Sequence, residues 1–400
     1  MVAVGDVVQG KVAGAVEAVR RAADGNRRLG RLAGNVGLNL GLAVVGAAAG
    51  VAAERLTVGL VTRRRARAEL DAVAPFGTLR GTPHLIEADD GTELYAEVEE
   101  ADPAVAGEAP VTVVFSHGYC LDQDSWHFQR AALRGRVRMV FWDQRSHGRS
   151  GRGPLGDSRF ERLARDLHAV VGELAPDGPL VLAGHSMGGM TVMALAAHDP
   201  ELFAERVAGV ALLSTTAGQW ASTTLGLPGP AGRLVLRTAP AVLKLLGRQP
   251  ALVERARRLS ADAIAPFVKR YSFASDVDPA VARFAERMIE ETPVDVVAEF
   301  LPAFYGHDTS AALEAFAGIP ALVLHGDGDL LVPPDQGAAI ADAVPGARFV
   351  LVEEAGHLVL LERPAQVDAE LVALIEDAST TVDAEQERTS EQDGTGAARR

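Results

Sequence analysis

The five residues Gly184-His185-Ser186-Met187-Gly188 constrain this chain more than any other feature of it. They follow the apolar run LVLA (180–183) and lead into MGGMTVMALAAHDP (187–200), a helical stretch. A strand must therefore pass into a helix across a single serine. Such a turn forces the serine into a strained backbone conformation, and it closes only if the flanking positions carry no side chain. Gly184 and Gly188 meet that need. Ser186 then sits at a helix N-terminus, where free N–H groups and the helix dipole favour negative charge.

An all-apolar strand needs neighbours, and the chain supplies them. HLIEA and TELYAEVE form a hairpin around Asp89-Asp90-Gly91. VTVVFSHG (111–118), RVRMVFWDQ (136–144), PLVLAGHS (179–186) and VAGVALLSTT (207–216) follow, then PALVLHGDGD (320–329) and ARFVLVEEAGH (347–357). These runs are short, continuous and interleaved with helical stretches. They predict an α/β fold with a mostly parallel eight-stranded sheet and helices on both faces. Between 217 and 312 there is no strand pattern, only helical stretches such as ADAIAPFVKRY and PAVARFAERMIEE. A helical cap inserted after strand six is expected there, with apolar side chains such as Phe267 and Phe300 selecting the substrate.

Three zones follow along the chain. Residues 74–376 form the folded domain, and with aromatics at only 5% its core must be built mostly from Ala, Val and Leu. Residues 377–400 are polar, without a core pattern, and are expected to be a disordered acidic tail. Residues 1–73 are rich in Ala, Gly, Val and Arg. Within them, 34–53 carry no charge and are long enough as a helix to cross a bilayer. Arg27, Arg28 and Arg31 precede that stretch; Arg63, Arg64, Arg65 and Arg67 follow it. A transmembrane anchor with membrane localisation is expected first, a helix docked on the domain second, and a cleaved signal segment third. The net charge of −14 argues against a nucleic-acid partner. The single cysteine, Cys120, excludes a disulfide framework and a Cys-ligated zinc site.

A serine hydroxyl is a poor nucleophile without a base. His357, after the last strand in EEAGHLVLLERP, can supply one, and Asp329 or Asp327 in HGDGDLLVPP can orient it. Asp329 lies one step further into its loop. His117-Gly118-Tyr119 ends the strand VTVVFS, so the N–H of Tyr119, paired with that of Met187, can form an oxyanion hole. His117, His147, His185 and His325 lack metal-ligand spacing, and His185 and His325 read as structural. Arg145 and His147 read as loop braces, Asp143 as a turn former, and Trp126 as core or pocket lining. No metal or organic cofactor is implied.

Taken in order, these motifs resemble the α/β-hydrolase superfamily, in its capped lipase, esterase and haloperoxidase-like branch. The family's HG-x strand matches His117-Gly118-Tyr119, and its D-x-R-G-H-G-x-S matches 143–150 with Ser146 where Gly is usual. Its elbow matches 184–188, its G-x-x-D-x-x-x-P matches 326–333 and so selects Asp329, and its G-H matches Gly356-His357. Related dehalogenases and epoxide hydrolases carry Asp at the elbow, and Ser186 argues against both. The resemblance implies a triad of Ser186, Asp329 and His357, an acyl-enzyme, and hydrolysis of a largely apolar small-molecule carboxylic ester. Amide or C–C hydrolysis, perhydrolysis and acyl transfer use the same triad, and a catalytically silent binding protein is the rival from another class.

Overall fold

A computed structural model of the chain describes residues 69–70, 76–104, 111–218 and 268–397. All of them lie in one compact unit, Arg64–Arg400. Its strands are β1 (Thr82–Glu87), β2 (Glu93–Glu99), β3 (Thr112–Ser116), β4 (Arg138–Trp142), β5 (Leu180–His185), β6 (Val207–Leu213), β7 (Ala321–Gly326) and β8 (Arg348–Val352). They make one sheet in the order β1-β2-β4-β3-β5-β6-β7-β8. β2 pairs antiparallel with β1 and β4, and every other pairing is parallel. The strands fall on the runs read from the sequence, with β1 starting two residues ahead of HLIEA.

The described helices are α1 (His127–Leu133), α2 (Phe160–Leu174), α3 (Met187–His198), α4 (Pro200–Arg206), α5 (Pro279–Glu291), α6 (Val294–Gly306), α7 (Pro334–Ala343), α8 (Val359–Glu362) and α9 (Pro364–Ala397). They cover both faces of the sheet, as strands apolar on both sides require. Val114, Leu182, Leu212 and Val323 point to the side held by α2, α3 and α7. Val113, Val181, Ala211 and Leu322 point to the side held by α1, α8 and α9. Helix α2 buries Leu163, Leu167, Val170, Val171 and Leu174, one stripe at helical spacing. Helix α3 has no polar stripe, because it is wedged between the sheet and α2.

Two expectations change. The last helix runs from Pro364 to Ala397, past residue 377 where order was expected to end. Val367, Leu371, Leu374 and Ala378 bury one stripe of it, and the backbone continues as helix beyond them. The membrane expectation is withdrawn: among the described residues no helix is long and apolar enough to cross a membrane. The stretch 34–53 that carried it lies outside the described residues. Of the insertion at 217–312, residues 219–267 also lie outside them, and α5 and α6 occupy the described remainder.

The half of the sheet away from the parallel strands is tied by charge. Glu97 and Glu99 sit two apart on β2, so both reach the same side, and Arg130 of α1 bonds to each of them. All three are buried. The guanidinium also lies 4.6 Å from the centre of the Phe141 ring. Removing the cation takes away the buried charge partner of Glu97, which keeps only the neutral donors Gly81 N and the Tyr95 hydroxyl, each at 2.9 Å, and leaves Glu99 to Arg134. Arg130→Met is therefore expected to cost about 3–5 kcal/mol of stability. Urea unfolding measures it, and a loss under about 1 kcal/mol would contradict a structural role for the cluster.

Candidate active site

The parallel strands all end at one edge of the sheet, and the loops leaving that edge bring the chemistry together. Ser186 follows β5 directly, with φ 51° and ψ −114°. That left-handed conformation is strained for any residue with a Cβ. It is held because Ser186 N donates to Leu213 O on β6 at 2.9 Å, and Thr215 Oγ1 donates to Ser186 O at 2.7 Å. The flanking glycines are required sterically. A Cβ on Gly184 would sit 2.5 Å from the Gly188 carbonyl carbon, and one on Gly188 would overlap the Ser116 carbonyl. The strand–helix turn thus presents the Ser186 hydroxyl outward while its backbone stays buried.

Asp329 stands three residues past β7 and His357 five past β8. Ser186 Oγ lies 2.9 Å from His357 Nε2, and His357 Nδ1 lies 2.8 Å from Asp329 Oδ2. The other carboxylate oxygen of Asp329 accepts from Leu331 N and Val332 N, each at 2.9 Å. Those bonds aim Oδ2 at the imidazole. Asp327 is exposed and, among the described residues, accepts only a 3.3 Å bond from Ala355 N. The structure therefore brings Ser186, His357 and Asp329 into one hydrogen-bonded chain and leaves Asp327 out of it.

Tyr119 follows β3 across Gly118. No backbone acceptor takes its N–H among the described residues. Met187 opens α3, so its N–H has no intrahelical acceptor. Gly118 admits no side chain, since a Cβ there would lie 2.6 Å from His185 Nδ1. The Tyr119 hydroxyl donates to Val297 O on α6 at 2.5 Å, and its ring packs on Phe300 and Phe304. Phe300 is buried and also meets the His147 ring. Phe267 lies outside the described residues.

The four strand-end histidines, His117, His147, His185 and His325, are buried and structural. Burial pushes His117 down to about 3, and His147 and His325 down to about 4. His117 Nδ1 donates to Gly118 O and its Nε2 accepts from Gln144 N. Burial holds His185 well below the ordinary histidine range, and its Nε2 donates to the carbonyl of His357 at 2.9 Å. Asp143 accepts from Gln123 N and Arg149 N, each at 2.8 Å, and so shapes its turn. Arg145 braces the same loop against Asp166 and Asp90. Trp126 is fully buried against Phe115, a core residue. Ser146, where glycine is usual, has φ 66°.

One contributor has no role assigned by the sequence pattern. Glu362, at the end of α8, turns back beneath the histidine loop. Its carboxylate accepts from Gly356 N at 2.6 Å, Ser275 N at 2.6 Å, Ser275 Oγ at 2.6 Å and Ala274 N at 3.1 Å. Its only signal in the sequence is a carboxylate in LERP, five residues after the histidine. Elsewhere, a groove of about 1050 Å³ opens at the opposite edge of the sheet beside Pro179, Phe203, Ile319 and Pro320. It is far from this chain of groups, and no histidine lines it.

Comparison with known proteins agrees with this architecture. Residues 111–364 match the model of the alpha/beta hydrolase fold family. A non-heme haloperoxidase from Rhodococcus erythropolis is 28% identical over 299 residues, 73% of this chain and 99% of that protein. A dihydrolipoyllysine-residue acetyltransferase component of an acetoin cleaving system from Pseudomonas putida is 27% identical over 277 residues. That match covers 68% of this chain and only 65% of the relative's own length. The crystal structure of an enol-lactonase from Burkholderia xenovorans LB400 superposes with a TM-score of 0.58 at 27% identity, covering 73% of this chain and 100% of that one. The chain belongs to the α/β-hydrolase fold family.

Proposed function

We propose that this hydrolase cleaves a carboxylic ester through an acyl-enzyme on Ser186. The observation that carries the reading is the continuous chain from Asp329 through His357 to Ser186, with contacts of 2.8 and 2.9 Å on a strained serine. The geometry supports the following sequence of steps. Ser186 Oγ attacks the carbonyl carbon while His357 Nε2 takes its proton. The oxyanion is held by the N–H groups of Tyr119 and Met187. His357 returns the proton to the leaving alcohol, and the C–O bond breaks. Water, deprotonated by the same nitrogen, then releases the acid and restores the serine. Asp329 holds the tautomer that leaves Nε2 free to accept.

An ester is favoured over the other acyl substrates by the lactonase likeness, since a lactone is a cyclic ester. An apolar substrate is favoured by the Tyr119, Phe300 and Phe304 cluster between the oxyanion loop and α6. A fluorophosphonate probe tests the nucleophile, and p-nitrophenyl esters of graded chain length test the substrate class. Labelling of Ser186 with turnover that rises with chain length is expected. No label and no turnover across the series would overturn the reading.

Phe300 gives a sharper check. Phe300→Leu trims the apolar wall without touching the reacting groups. The ratio of kcat/KM for octanoate over acetate is expected to change about 3–10-fold, while kcat for acetate holds within about threefold. Equal losses on both esters would mark a stability effect instead.

A further inference from the structure

Three backbone groups around His357 are each tied to a different part of the molecule. The His357 carbonyl accepts from His185 Nε2 at 2.9 Å. The Leu358 N–H donates to Ser272 O at 2.9 Å. The Gly356 N–H donates to the Glu362 carboxylate at 2.6 Å. The third tie differs from the others. The same carboxylate also takes both donors of Ser275 and the N–H of Ala274. Residues 272–275 lie within the insertion after β6, just ahead of α5. They lie hard against both loops that carry the reacting groups. A Cβ on Gly356 would meet Ala274 N at 2.8 Å, and one on Gly328 would meet the Ala274 methyl at 2.6 Å. One buried carboxylate thus clamps the histidine loop to the segment 272–275 of the insertion, using neutral donors alone; among the described residues no cation pairs with it.

We propose that Glu362 is a positioning residue, which holds the His357 imidazole in register between Asp329 and Ser186 and couples that register to the segment 272–275. This rests on the serine-hydrolase reading given above. The physical reason is the short reach of the two contacts it serves. At 2.8 and 2.9 Å, they fail if the imidazole moves by an ångström. A carboxylate is suited to the task because it only accepts, and every group facing it only needs an acceptor. An amide in its place turns an NH2 toward N–H donors, so at least one tie is lost and the loop relaxes. Since Glu362 touches neither Ser186 nor the substrate position, its loss should slow acylation without weakening binding.

The test uses the full chain and its Glu362→Gln variant. The rate constant for fluorophosphonate labelling of Ser186 is measured on folded protein, with the folded fraction taken from circular dichroism. Steady-state kcat and KM for p-nitrophenyl acetate are measured beside it. The expected result is a 10–100-fold lower labelling rate per folded molecule, a matching fall in kcat, and KM within about threefold. A labelling rate per folded molecule within twofold of the parent overturns the proposal, whatever the change in melting temperature. Should the variant fail to fold, Ser275→Ala decides. It removes one donor and keeps the carboxylate, and it is expected to slow labelling 2–5-fold with KM unchanged; an unchanged rate overturns the proposal. Parent protein that neither labels nor turns over would defeat the hydrolase reading itself, a different outcome from either of these.

Discussion

Ser186→Ala is expected to lower kcat for a p-nitrophenyl ester by about 10⁴–10⁶-fold while the protein stays folded. The hydroxyl makes one contact of consequence, the 2.9 Å bond to His357 Nε2. It packs nothing, so its removal should change stability by no more than about 1 kcal/mol. The backbone at this position stays as it is, because Ser186 N and O are held by Leu213 and Thr215, not by the side chain. The N–H groups of Tyr119 and Met187 therefore keep their places. A residual rate of about 10³ over water should survive on them alone. Circular dichroism and urea unfolding check the fold, and single-turnover kinetics on protein free of contaminating esterase check the rate. Hydrolysis at the parent rate would remove Ser186 from the mechanism.

How much of this was legible in the sequence depends on what kind of contact was being read. Burial leaves a direct imprint, so strands such as Thr112–Ser116 and Leu180–His185 stand inside the apolar runs VTVVFSHG and PLVLAGHS. The serine turn was legible for a similar reason, since its two glycines are demanded by local sterics. The tail was not. Polarity after 377 reports that the side chains seek water and says little about the backbone, which continues as helix to Ala397. Contacts between distant loops leave no local pattern either. Glu362 meets Ser275 across 87 positions, and His185 meets the His357 carbonyl across 172. By contrast, Glu97 and Glu99 could have been noticed. Two carboxylates on the same side of a strand that runs through a core imply a buried cation, and Arg130 is that cation.

The choice between the two aspartates leads to the second large effect. Asp329→Asn is expected to lower kcat by about 10⁴-fold, and Asp327→Asn by less than about threefold. Asparagine offers one oxygen where aspartate offers two. In the parent, Oδ1 takes two N–H groups, from Leu331 and Val332, and Oδ2 takes the proton on His357 Nδ1. Leaving two buried N–H groups facing an NH2 is the costlier arrangement, so the asparagine oxygen stays with them. Its NH2 then faces His357 Nδ1 as a donor. The imidazole must answer as an acceptor there, which moves its proton to Nε2. A protonated Nε2 cannot receive the proton of Ser186, and the base is lost with the geometry intact. Asp327 has no such part: it is exposed, and its 3.3 Å bond to Ala355 N survives in the amide oxygen. Steady-state kinetics of the two variants on one ester make the comparison. Should Asp327→Asn prove the more damaging, the hydrogen-bond chain through Asp329 would not be the one that works.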